Sequence, residues 1–403
     1  MINNFKVIKS KLFYFLCLII RKFPFAVKIG FITEYNWNFD DYLFDNSHND
    51  KISKVYIPRN RIDAVQLPAP SFINNKITIN SEYEKNEYRL NILWNGQFCF
   101  NPFGYITSTN RLLFEESSCY GNTPKSHWFF RKLLPTSVKK IGGRAFMMRG
   151  SNNYWHFVTE DLSKIKILEE LGQKISDYDH ILMSLSRLDF QKEYYELLGY
   201  ENIYENALSL ETSHRLKFDE LHFFYPRYQP DFRMYSWVEQ IVKKSKKYSA
   251  LPNTFKKRLF ISRSNSRRTF VNEDEIWSYL KSRGFHKVEC HRFSIFEQAK
   301  LFADAEVIIG IHGAGLTNLL FSSSSASVIE IRNKDHYGSY TASDCYYWLS
   351  AYSKLSYNLL LTDCCSNSSF NGRKVVDSNL YLSITELEKT LDMILHNSKF
   401  KKQ

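Results

Sequence analysis

The stretch AEVIIGIHGAGLTNLLFSSSSASVIEIRNK, residues 305–334, constrains the fold more than any other part of the chain. Its first apolar run, EVIIGI, reads as a strand buried on both faces, the pattern of a parallel sheet. The run gives way to HGAG, returns to apolar residues in LTNLLFS, and is followed by a second buried strand, SVIEI. A strand, a glycine turn, a helix and another strand make a parallel crossover unit, so the chain contains an α/β layer. Gly313 and Gly315 are expected to let the backbone approach a ligand closely and adopt strained dihedrals. The free N–H groups that open the following helix offer an anion site, with phosphate the first guest to consider. Ligands of open α/β sheets bind outside the carboxyl ends of the strands, where this turn lies. The pattern also suits a plain tight connection, and it is neither the dinucleotide fingerprint nor a Walker loop.

The same alternation runs through most of the chain. Strand RLFIS, loop RSNSRRTFV, helix NEDEIWSYLKSRG, strand HKVECH and helix SIFEQAKLFADA lead into it. Asn272 with Glu275 reads as an N-cap and capping-box pair. A first α/β layer precedes this one. In SNNYWHFVTEDLSKIKILEELG, Tyr154, Val158, Leu162, Ile165 and Leu168 recur at helical spacing, and Gly172 is a stop signal. HILMSL, IYENALSL and LHFFYP read as strands, and DFQKEYYELLGY and the segment from about Asp231 as helices. The basic stretch around Pro252 marks a boundary. The expected division is an irregular β-rich extension over 1–135, α/β domains over 136–250 and 251–380, and a final helix over 381–403.

Several polar residues fall where chemistry could use them. Arg263, Arg267 and Arg268 follow the first strand of the second α/β domain, and guanidinium groups match phosphate oxygens in pairs. A solvated basic loop would look the same. Together with the turn His312, Gly313, Ala314, Gly315, Leu316, Thr317 and Asn318, they make two anion-seeking loops at one sheet edge, which suggests a diphosphate. Glu330, at the end of the next strand, suits either ribose hydroxyls or a surface ion pair. His156 and Glu160, four apart, share a helix face, with Asn152 and Asn153 at the helix start. That arrangement suits general-base work or a structural hydrogen bond.

Composition narrows the class. With 403 residues, 44% of them hydrophobic and 16% aromatic, the chain has ample material for two folded domains. The formal net charge of +12 points to an anionic surface or a phosphorylated ligand, and no nucleic-acid-binding signature accompanies it. Seven scattered cysteines without metal or disulfide spacing suggest a reducing compartment. Vicinal Cys364 and Cys365 read as loop residues. The apolar run Leu12 to Ile20 is shorter than the roughly 20 residues of a spanning helix, and no cleavage site follows it. Flanking lysines and arginines make residues 1–30 either an amphipathic segment on an anionic membrane face or a core-packed element with solvated lysines. A peripheral protein on the cytoplasmic face of the membrane is the expectation.

Three segments, NYWHFVTEDL, LFISRSNSRRTFVNEDE and IIGIHGAGLTN, resemble the signature segments of glycosyltransferase family 61, in that order. The resemblance covers about Arg144 to Leu361. It implies a GT-B fold, two Rossmann-like domains facing a cleft, and an inverting, metal-independent transfer from a nucleotide-sugar donor, UDP-sugar first. It places the donor on Arg263, Arg267, Arg268 and His312 to Asn318, with Glu330 toward the ribose. Asn152, Asn153, His156 and Glu160 fall on the acceptor side. His156 is the preferred base, with Glu160 as its partner or substitute. The last helix is expected to cross back to the acceptor-side domain. Acceptors would be glycans or lipid-linked glycans of a bacterial capsule or lipo-oligosaccharide. Asp177 and Asp179 spell the Asp-x-Asp of metal-dependent transferases but precede their strand, away from a binding edge, and no metal is expected. A non-catalytic nucleotide- or polyanion-binding subunit is the alternative. An NAD-dependent enzyme is disfavoured, since the dinucleotide fingerprint is absent.

Overall fold

In the computed structural model the apolar runs beyond residue 140 become two separate parallel sheets with helices between their strands. The structure describes residues 89–100, 103–108, 110–117, 137–184, 188–209, 214–225, 232–253, 257–264, 268–334, 344–364 and 379–400, with residues 16, 19, 22, 32, 34–36, 54–56, 65–66, 72–73 and 82–83 before them. Arg267, Cys365 and most of the amphipathic segment 1–30 lie outside the described residues. Among the described residues no helix is long and apolar enough to cross a membrane. Cys99, Cys290 and Cys345 are free thiols.

The chain divides into two units. Met1–Asn60, Asn86–Asn152 and Glu160–Gln229 form the first, and Arg61–Lys85, Asn153–Thr159 and Pro230–Gln403 the second.

In the first unit the α/β sheet is built from β1 (Arg89–Trp94), β2 (Arg144–Arg149), β3 (His180–Met183), β4 (Leu208–Ser209) and β5 (Glu220–Tyr225). Their order is β4-β3-β2-β5-β1, ending on Lys54–Tyr56, and β2 to β5 are parallel. Helices α1 (Leu162–Glu170) and α2 (Asp189–Leu198) connect them. Leu162, Ile165 and Leu168 of α1 are fully buried, as their spacing requires. Gly172 (φ +73°) ends α1, its N–H donating to Glu169 O and that of Gln173 to Leu168 O, a Schellman stop. IYENALSL is not one strand: Glu201–Asn206 is helical and only Leu208–Ser209 extended. The helical turn stacks Tyr204 on Tyr195 of α2, rings 5.2 Å apart, and that burial overrides a weak strand signal. A second sheet joins short strands of the N-terminal region to Arg215–Lys217 and Val138–Lys140. Tyr105 stacks on Phe223 across this core at 4.0 Å.

In the second unit the sheet comprises β6 (Arg258–Ile261), β7 (His286–Val288), β8 (Val307–Ile311), β9 (Ser327–Asn333), β10 (Ser356–Cys364) and β11 (Leu380–Tyr381). The order is β7-β6-β8-β9-β10-β11, with β11 antiparallel, and Phe72–Ile73 adds a seventh strand, parallel to β10. All five residues of β8 are buried, which explains its unbroken apolar run. Helices α3 (Phe232–Lys243), α4 (Glu273–Ser282), α5 (Ile295–Asp304), α6 (Cys345–Tyr352) and α7 (Ile384–Phe400) belong to this unit. Helix α7, expected to cross back to the acceptor-side domain, buries Leu387, Leu391 and Ile394 in the same core as Phe260, Ile309 and Leu360. Asn272 stands at the N-cap of α4 and its amide donates to Glu275 Oε2 at 3.1 Å, but its side chain makes no cap hydrogen bond to the helix backbone. Its side-chain oxygen accepts from Leu382 N and its amide donates to Leu382 O, tying the chain that leads into α7. The capping box forms instead at Ser294 and Glu297 of α5.

Candidate functional site

Chain order and sheet order together locate a crevice in the second unit. From β6 the chain passes to β7 on one side and then to β8 on the other, so the carboxyl ends of β6 and β8 flank a topological switch point. Two of the loops singled out in the sequence leave from those two ends. Ser262 and Arg263 follow β6, and His312 and Gly313 follow β8.

The two loops are bound to each other. Arg263 and Arg268 each donate an Nη1 hydrogen bond of 3.0 Å to the carbonyl oxygen of His312. One carbonyl has lone pairs for both donors, and the result is two guanidinium groups drawn to one point at the sheet edge. Gly313 explains how they fit. A Cβ there would lie 1.2 Å from Nη1 and 2.5 Å from Cζ of Arg263, so the guanidinium occupies the space a side chain would take. The strained dihedrals expected of this turn are absent. Gly313 is extended (φ 167°), and Gly315 is not among the glycines with positive φ. Gly315 is needed for packing, since a Cβ would lie 3.0 Å from Ile261 Cγ2 and 3.3 Å from Cys290 Sγ.

The following segment, Ala314–Phe321, is a 3-10 helix in which the motif divides by burial. His312, Gly313, Ala314 and Gly315 are partly exposed, whereas Leu316, Thr317 and Asn318 are buried. Asn318 donates to Gln298 Oε1 (2.7 Å) and Gly315 O (3.2 Å) and accepts from Tyr154 Oη (3.2 Å). Its amide thus braces three segments of this unit from inside.

Glu330 lies within β9, which runs on to Asn333, and is fully buried rather than poised at a strand end. Both its oxygens are engaged by protein. Oε1 lies 2.5 Å from His312 Nδ1, and Oε2 accepts from Tyr357 Oη at 2.6 Å. Arg332, two residues along and so on the same strand face, brings Nε to 4.0 Å and pairs with Asp344 at 3.2 Å. Burial pushes the Glu330 carboxyl up, but His312, Arg332 and the Tyr357 hydroxyl outweigh it and hold the group below the usual carboxylate range. Burial lowers His312 against the pull of Glu330, and Arg332 and Arg268 add to the lowering. The imidazole is therefore neutral at neutral pH, with its Nδ1 proton directed at Glu330.

Residues Asn153–Thr159 belong to this same unit. Asn153 is the N-cap of the helix, Oδ1 accepting from Trp155 N at 2.9 Å and His156 N at 3.5 Å. Tyr154 reaches Asn318, and the Trp155 ring packs edge-on against Tyr346, 5.1 Å between centroids. Tyr346 in turn meets the His312 ring at 5.0 Å. His156 is half-buried on this anchored segment, and Asn152 before it is exposed. The helix that carries His156 continues into a π-helical turn, Phe157–Asp161, which holds Glu160. Glu160, in the first unit, pairs with Arg149 at 3.3 Å.

That pair stands at the carboxyl end of β2, where Arg149 takes a left-handed conformation (φ 80°) uncommon for a residue with a side chain. Beside it Asp161 accepts from Ser151 N (2.6 Å) and from Lys164 Nζ (2.8 Å), and Lys164 also donates to Met148 O (2.8 Å). Burial lowers the Lys164 ammonium pKa against the pull of Asp161. The carboxylates of Asp177 and Asp179 accept from Lys174 N and Arg144 N, each at 2.8 Å, at the amino ends of β3 and β2.

Sequence reasoning missed Tyr346, Tyr357, Arg332, Asp344 and Gln298. Arg332 alone had a signal, its alternation with Glu330 along one strand.

The fold and this edge define the class, a parallel α/β unit with an arginine loop and a glycine turn joined at its switch point. Residues 154–329 match the family model described as Glycosyltransferase 61. It is similar to an alpha-1,3-arabinosyltransferase of Oryza sativa subsp. japonica, 40% identical over 79 residues, which are 19% of this chain and 14% of that protein. It is also similar to the EGF domain-specific O-linked N-acetylglucosamine transferases of Drosophila melanogaster (32% over 77 residues) and Mus musculus (33% over 78 residues), each match covering 18% of this chain and 15% of the relative. The chain thus spans only a small part of the length of these relatives.

Proposed function

We propose that this protein is a glycosyltransferase that moves a sugar from a nucleotide-sugar donor, a UDP-sugar first, to a hydroxyl of a glycan or lipid-linked acceptor. The observation that carries this reading is the convergence of Arg263 and Arg268 on the glycine turn at the switch point of a unit that matches a glycosyltransferase family. The diphosphate of the donor would lie against these guanidinium groups, with Arg267 on the same loop. Guanidinium pairs supply the charge that a departing diphosphate requires. The acceptor oxygen attacks the anomeric carbon, the bond from that carbon to the phosphate oxygen breaks, and that oxygen leaves with the electron pair. The hydroxyl proton passes to His156, which stands on a segment of the same unit. Glu330, with both oxygens engaged, serves this site through His312 rather than through the ribose.

Inversion at the anomeric carbon, independence of metal and the two Rossmann-like domains of a GT-B enzyme belong to this proposal. So do a place in bacterial capsule or lipo-oligosaccharide synthesis and attachment to the inner membrane face. The relatives' names put arabinose and N-acetylglucosamine first among donor sugars to try.

The test is transfer from UDP-, GDP- and CMP-sugars by the purified protein, with and without EDTA, alongside thermal shift with each nucleotide. A selective thermal shift that persists in EDTA, with transfer, supports the proposal. Binding without transfer favours the non-catalytic subunit, and the absence of any nucleotide binding overturns the donor site. His156→Ala is expected to lower transfer by about 100-fold or more while leaving UDP affinity near that of the parent protein. Gly313→Ala should weaken UDP by about tenfold, because the new methyl evicts the Arg263 guanidinium, while the unfolding midpoint stays close to the parent's. Calorimetry reads the first quantity and thermal denaturation the second.

A further inference from the structure

We infer that His312 is a proton-carrying contact to the donor's diphosphate, with Glu330 as its positioning residue, so that the diphosphate binds together with one proton. This rests on the donor-site reading above. The backbone of His312 already sits at that site, because its carbonyl receives both Arg263 and Arg268. Its ring is held on one side only. Nδ1 faces Glu330, the ring edge packs on Tyr346, and the side chain keeps 22% of its surface exposed. With Nδ1 committed to a carboxylate, Nε2 is the nitrogen left to meet a ligand.

A neutral imidazole oriented in this way presents a lone pair at Nε2, which repels a phosphate oxygen. A protonated one presents an N–H, and the charge is balanced from behind by Glu330. The charged groups around the ring are Glu330 and Arg332 from β9, Arg263 and Arg268 from the loop after β6, and Asp344, which is paired with Arg332. Tyr346 from α6 and Tyr357 from β10 are the neighbouring hydroxyls. Burial pushes both upward, so they stay protonated. Burial first, with Arg332 and Arg268 adding to it, keeps the ring neutral without a bound anion. A bound diphosphate brings negative charge against the ring, offsets that lowering and draws a proton from solvent onto Nε2. When the anomeric bond breaks, this N–H faces an oxygen that is gaining charge.

The role of Glu330 follows from its own anchoring. Tyr357 holds the second oxygen, so the carboxylate cannot swing away when the ring becomes charged. It fixes both the tautomer and the direction of Nε2.

Titration calorimetry of UDP into the full chain near pH 7, in buffers of different ionisation enthalpy, reads the proton directly. The parent protein is expected to take up about one proton more than His312→Gln, and above neutral pH its UDP affinity should fall roughly tenfold per pH unit. The affinity of His312→Gln should not show that fall. Glu330→Gln should lose proton uptake at neutral pH while still binding UDP, an effect that a purely structural role would not produce. UDP binding to the parent with no uptake and no such pH dependence overturns this inference and leaves the donor site standing. Failure of UDP, GDP and CMP alike to bind overturns both. The parent measurement needs no variant, so a folding defect in either substitution does not shield the idea.

Discussion

Glu330→Ala should destabilise the second unit by about 3–5 kcal/mol, the range for removing one partner of a buried, hydrogen-bonded charge pair. The carboxylate is fully buried, and three groups depend on it. Without it the His312 Nδ1 proton and the Tyr357 hydroxyl lose their acceptor, and Arg332 loses a neighbouring carboxylate while keeping Asp344. Each stranded donor carries the desolvation penalty of an unmade hydrogen bond, and the methyl group of alanine leaves a void that neighbouring β-strands cannot close. Glu330→Gln keeps the shape and one acceptor, and should cost less, about 1–3 kcal/mol. Chemical denaturation followed by tryptophan fluorescence would measure both. If Glu330→Ala unfolds at the denaturant concentration of the parent, the buried network contributes nothing and its reading here fails.

Arg263→Ala combined with Arg268→Ala should weaken UDP by at least about 100-fold, since each guanidinium offers a charge-assisted hydrogen bond worth roughly 1.5–3 kcal/mol. The change should fall on affinity rather than on folding. Both groups bond a part-buried carbonyl just beyond β8, a strand buried along its whole length by its own apolar side chains. Lysine at either position should restore little, because an ammonium group cannot offer the paired planar donors that reach both His312 O and a phosphate. Single substitutions separate the two contributions. An unaltered UDP affinity in the double variant would move the diphosphate away from the switch point.

The second α/β unit was largely legible in the sequence because its strands are buried on both faces. Burial of that kind writes an unbroken apolar run such as EVIIGI, and the helices between carry their own 3.6-residue pattern. The order of those elements placed Arg263, Arg268 and the HGAG turn at one edge of one sheet. Their mutual contact could not be read from order alone. The reason for Gly313 was likewise misread. Its dihedrals are ordinary, and what it provides is room for a guanidinium that arrives from a loop nearly fifty positions away in the chain. Asn272 shows the same limit. Its local pattern is that of a cap and it keeps the bond to Glu275, but its side-chain oxygen is taken by Leu382 N rather than by the helix backbone.

By itself, then, the sequence determined the α/β class, the positions of most strands and helices beyond residue 140, and the two loops that leave the carboxyl ends of β6 and β8. These follow from local periodicity and from the rule that binding loops leave the carboxyl ends of parallel strands. Only the tertiary structure decided that Glu330 is a buried brace for His312, that Tyr346 and Tyr357 lie beside them, and that Glu160 falls in a π-helical turn. Those facts depend on which side chains from distant strands meet inside a low-dielectric core. There an ionised group persists only where hydrogen bonds and opposite charges converge on it, and no spacing along the chain records that convergence.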